Sequence, residues 1–108
     1  MSNSVNPIEP CGSIEQVRSN IDRIDQQIVA LLAERGAYVK QAAAFKTSTA
    51  DVRAPHRVEQ VISKVVMLAH SLGANPVVTE QVYRAMISSF IESELAEHST
   101  LQEVAGKA

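Results

Sequence analysis

A chain of 108 residues is long enough for one domain with a modest core. Hydrophobic residues make up 45% and aromatics only 4%, which suits packed helices better than a β-sandwich or barrel. Ten basic against twelve acidic residues, with no basic arm and no single-sign run, argue against a nucleic-acid partner. The single cysteine, Cys11, excludes an internal disulfide, and His56, His70 and His98 are too scattered to form ligand pairs, so no metal is expected. MSNSVNPIEPCG lacks the charged start and apolar run of a signal peptide, and no apolar stretch reaches membrane-spanning length. A cytoplasmic protein without membrane association is the expectation.

Residues 1–12 read as a flexible arm, residues 13–98 as one helical domain and residues 99–108 as a flexible tail. Ser13 followed by Gln16 forms the S-x-x-Q pattern of a capping box, and a long periodic segment begins there. Ile14, Val17, Ile21, Ile24, Ile28, Leu31, Arg35, Tyr38, Ala42 and Phe45 are spaced alternately three and four, a coiled-coil-like seam. A helix from about residue 14 to 46 would be roughly 50 Å long, beyond the reach of a compact fold of this size. A second copy of the chain is the natural cover. TSTAD, residues 47–51, reads as a break. Pro55 suits the first turn of a second helix that stops at Gly73, and Asn75 with Pro76 caps a third. Val78, Val82, Tyr83, Met86, Ile87, Phe90, Ile91 and Leu95 form one broad apolar face on that third helix, which is expected to fray after His98. The architecture expected is all-α: three helices, one long and two shorter.

Three polar residues stand where apolar ones belong. Arg35 occupies a seam position, and Lys46 follows eleven residues later, about 20° from it around an uninterrupted helix. Glu94 lies on the stripe Tyr83–Ile87–Phe90–Glu94, where a carboxyl must meet a base or stay protonated. A plain ion pair of Glu94 with Arg35 or Lys46 is one reading. One acid against two bases nevertheless leaves surplus positive charge, which a buried site carries only with an anionic ligand. Arg18 is roughly 25 Å from Arg35 along the axis and can join such a site only from a second, antiparallel copy. Arg57 is ambiguous by itself, while Arg23, Arg53 and Arg84 read as surface residues.

The segment IEQVRSNIDRIDQQIVALLAERGAYVKQAAAFK resembles the first helix of the all-α chorismate mutases, with VRAPHRV similar to the turn into their second helix and FIESEL to the end of their third. The resemblance implies an intertwined homodimer with two active sites and a dicarboxylate substrate, chorismate or isochorismate. Carried over by position, it implies that Arg35 and the partner subunit's Arg18 bind the two carboxylates. It further implies that Lys46 donates to the ether oxygen and helps to hold a carboxylate, that Arg57, Phe90 and Ala42 line the site, and that Glu94 stands at a second ether-oxygen donor position. A glutamate donates there only when protonated, which predicts activity falling as pH rises. No cofactor is implied, because the rearrangement is pericyclic and uses orientation and charge stabilisation. Ala54 and Val58 replace acids that recognise the ring hydroxyl in many mutases. That departure, with Phe90, is similar to the isochorismate pyruvate-lyases, of which members carry Gln at the Glu94 position, a position held by Gln in many chorismate mutases and by Glu in some. The sequence favours chorismate mutase, with isochorismate pyruvate-lyase as the alternative. A non-catalytic helical dimerisation module, its seam charges setting register, is the alternative of another class.

Overall fold

The computed structural model describes residues 7–106, with side chains over residues 7–97. Residues 1–6 and 107–108, parts of the expected arm and tail, lie outside the described residues. The regular structure among those described is helical: α1 (Ile14–Ala43), α2 (Thr49–Arg53), α3 (Pro55–Leu72) and α4 (Pro76–Gly106). Two expectations are corrected. A five-residue helix, α2, occupies the expected break, and α4 has 31 residues against 30 in α1, running past His98 rather than ending there.

The helix starts follow from their caps. Ser13 Oγ accepts the Gln16 N–H at 3.2 Å, while Gln16 Oε1 reaches back to the Gly12 N–H at 2.7 Å, one residue earlier than a standard capping box. Asn75 Oδ1 accepts from the N–H groups of Val77 and Val78, at 3.0 and 3.2 Å, beside Pro76 at the first helical position. Gly73, with φ 76°, takes the left-handed conformation that ends α3, and the next N–H, of Ala74, closes on Ala69 O at 2.8 Å.

The chain divides into two compact units, Met1–Val39 and Lys40–Ala108. The first holds α1 up to Val39, with residues 7–13 described ahead of it. No residue of α1 is buried, and Ile14, Val17, Ile21, Ile24, Ile28, Leu31 and Tyr38 along the seam are exposed. In the second unit α3 packs on α4, and α2 packs on α4. Val52, Ile62, Val65 and Ala69 are buried there, together with the carboxyl-bearing Glu94. On α4, Tyr83, Met86, Ile87, Phe90, Ile91 and Leu95 are half-buried, whereas Val78 and Val82 remain exposed. Arg84 braces α3 to α4 at the surface: its guanidinium forks onto Glu59 at 2.9 and 3.0 Å and also donates to Glu80 at 2.9 Å. Among the described residues, no helix is long and apolar enough to cross a membrane.

Candidate functional site

Lys46 is delivered by a change of winding. After Ala43 the N–H groups of Ala44, Phe45 and Lys46 bond three residues back, to Gln41, Ala42 and Ala43, at 3.0–3.2 Å. These tighter bonds satisfy orphan carbonyls at the helix end and turn the chain out of the α-helical spiral. Lys46 therefore stands beyond α1, and the angular offset from Arg35 expected for an unbroken helix does not apply. The seam position of Phe45 is lost with the winding, and its ring is 87% exposed.

The next residues start α2. Ser48, extended at φ −147°, caps it by accepting the Asp51 N–H at 3.1 Å. Asp51 Oδ2 accepts from both the N–H and the hydroxyl of Thr47, at 3.1 and 3.0 Å. Those donors, the Thr47 N–H first, hold the Asp51 carboxyl below its ordinary value of 3.8. Val52 is buried and pins the short helix down. Ala54 then serves two helices at once: its N–H closes α2 on Ala50 O at 2.9 Å, and its carbonyl accepts the first α3 bond, from Val58, at 3.0 Å. The double role puts Ala54 at φ 37°, ψ 60°, a left-handed conformation unfavourable for any residue with a Cβ.

Glu94 arrives on α4, one turn beyond half-buried Phe90, with 8% of its side chain exposed. Lys46 Nζ donates to Glu94 Oε2 at 3.3 Å, from a side chain 24% exposed. The ion pair anticipated as the plain reading thus forms, with Lys46 as the base. Its length exceeds the roughly 2.7–2.9 Å of a tight charge-assisted bond, and an ammonium has three N–H donors. The ammonium can hold Glu94 and still present a proton to a second acceptor.

The other expected site residues distribute as follows. Ala42 is exposed on the last turn of α1 and Arg57 on the first turn of α3, while Phe90 is half-buried on α4. Arg35, half-buried, and Arg18, exposed, belong to the first unit. The structure joins Lys46 and Glu94. The Thr47–Asp51 bonds were not foreseen, although Ser48-x-x-Asp51 is a legible helix-start pattern.

A family model described as chorismate mutase type II matches residues 17–95, a span that takes in every residue named for the site. The isochorismate pyruvate lyase of Pseudomonas aeruginosa is 33% identical over 87 residues, which cover 81% of this chain and 86% of that protein.

Proposed function

The chain belongs to the chorismate mutase type II family, and from that premise we propose that it is a pericyclic enzyme of the isochorismate pyruvate-lyase kind, yielding salicylate and pyruvate. The pericyclic class, common to lyase and mutase, is supported by the Lys46–Glu94 pair, a basic donor set in a largely buried position by an acid 48 residues away. The pair is neutral as a unit. On the family resemblance, Arg35 and the partner subunit's Arg18 supply one guanidinium for each carboxylate of a dianionic substrate. The ammonium then faces the ether oxygen, where negative charge grows as the C–O bond breaks, and a fixed donor stabilises that charge without reorganisation. Atom balance requires one ring hydrogen to pass to the enolpyruvyl methylene, and neither a nucleophile nor a cofactor enters. The work of the protein is to hold the side chain over the ring in a reactive conformer.

Two observations support the lyase reading over the mutase favoured on sequence alone. The similarity to a protein named for that reaction extends over most of both chains. Ala54 and Val58, both half-buried, put apolar surface where many mutases hold acids for a ring hydroxyl, and isochorismate carries its hydroxyl on a different ring carbon. Glu94 favours the second reading, chorismate mutase, because some members of that family carry Glu at this position and the lyases that resemble this chain carry Gln.

The site is completed by a second copy. Helix α1 exposes its whole aliphatic seam, and a helix in water owes most of its stability to tertiary packing of such a face. An antiparallel pair of α1 helices would cover both seams and carry Arg18 to the partner's site.

The test is to supply isochorismate and chorismate separately and follow salicylate, pyruvate and prephenate. A larger kcat/KM for isochorismate is expected, since specificity is differential transition-state stabilisation. A larger value for chorismate makes the enzyme a mutase. Turnover of neither by folded dimer leaves the non-catalytic dimerisation module.

A further inference from the structure

Lys46 is tied down on both sides. Its own N–H donates to Ala43 O at 3.1 Å, and the N–H of the next residue, Thr47, donates to Asp51 Oδ2 at 3.1 Å. Thr47 adds its hydroxyl to the same oxygen at 3.0 Å, so both of its donors are committed to one carboxylate. Asp51 is itself fixed, because its N–H is held by Ser48 Oγ at 3.1 Å and its neighbour Val52 is buried where α2 packs on α4. The same α4 carries Glu94, the partner of Lys46.

A lysine head sits on a stem of four rotatable bonds, so its placement depends on how firmly its Cα is held. Glu94 holds the head. We infer that Asp51 is the positioning residue for Lys46: by gripping Thr47 it fixes the backbone from which the ammonium reaches Glu94 and, on the function proposed above, the ether oxygen. Asp51 touches no substrate. Its contribution is to keep the Lys46 donor where negative charge develops, and small misplacements of such groups are costly. A carboxylate suits this task better than a neutral amide, because its charge strengthens both hydrogen bonds that Thr47 donates to it.

Three variants test the assignment: Asp51→Ala, Asp51→Asn, and Ile62→Val as a core control that lowers stability elsewhere. Each is studied by steady-state kinetics with isochorismate and by backbone 15N relaxation. For Asp51→Ala, kcat should drop about tenfold while KM moves less than about twofold, since the lost positioning acts on the transition state. The order parameters of Lys46 and Thr47 should fall from the rigid value of about 0.85 toward about 0.6. Asp51→Asn keeps an acceptor oxygen for Thr47 and should restore most of both readouts. Wild-type kcat in Asp51→Ala, unchanged order at Lys46, or an equal loss of kcat in Ile62→Val overturns the assignment. If the wild-type protein turns over neither isomer, the proposed function fails, and the positioning role stands or falls on the order parameter of Lys46 alone.

Discussion

The Lys46–Glu94 pair makes an asymmetric prediction for stability. Replacing Lys46 by Met strands a carboxyl that is 8% exposed, whereas replacing Glu94 by Leu strands an ammonium whose side chain is 24% exposed. Breaking a fully buried pair costs about 3–5 kcal/mol. Here the 3.3 Å contact and the accessible lysine admit water, so about 2 kcal/mol is expected for Lys46→Met. For Glu94→Leu about 0.5 kcal/mol is expected, because the lysine head can swing to solvent on its apolar stem. The double variant puts two apolar groups together and should also cost only about 0.5 kcal/mol, giving a coupling of about 2 kcal/mol. Urea unfolding at one fixed protomer concentration reads these values, and with a slope of about 1.5 kcal/mol per molar the Lys46→Met midpoint falls by about 1.3 M. Equal costs for the two single changes, adding without coupling in the double, would refute the idea that Lys46 compensates a desolvated charge.

Three further outcomes follow from named features. Ala54→Gly relieves a left-handed residue costing about 1–2 kcal/mol, less about 0.4–1 kcal/mol for the freer unfolded chain, so the thermal midpoint should rise slightly. The Arg84 fork holds the Glu59 carboxyl below its ordinary 4.5, so this contribution is fully present above pH 4.5 and is lost as pH falls through the lower folded value. Asp51 adds the same sign below 3.8, and Arg84→Gln should make the acid loss of the thermal midpoint shallower without abolishing it. Arg35→Leu should abolish turnover while circular dichroism shows the helices intact; retained activity with a more stable dimer would instead support a register-setting role for the seam charge.

Much of the fold was legible because its signals are local. Ser13 with Gln16, Asn75 with Pro76, and Gly73 act through bonds spanning five residues or fewer, and each occurs where the residue types predict. The three-and-four spacing of α1 was also legible, and its seam residues from Ile14 to Tyr38 are not buried. Glu94 could be singled out as an acid on an apolar stripe, and Lys46 as a cation at its expected spacing, before either had a partner.

What the sequence by itself determined was thus the helical class, the positions of the starts and stops, and the residues that violate the apolar pattern. Only the tertiary structure decided that α1 ends at Ala43, that Thr47 to Arg53 wind into a cap and a short helix, and that Lys46 meets Glu94 at 3.3 Å. Periodicity registers which residues could share a face of a continuing helix. It is blind to the competition at a helix end, where the Thr47, Ser48 and Asp51 side chains offer the backbone another set of partners and buried Val52 helps to hold the result. A contact across 48 residues depends on that outcome, because the turn decides where the lysine emerges.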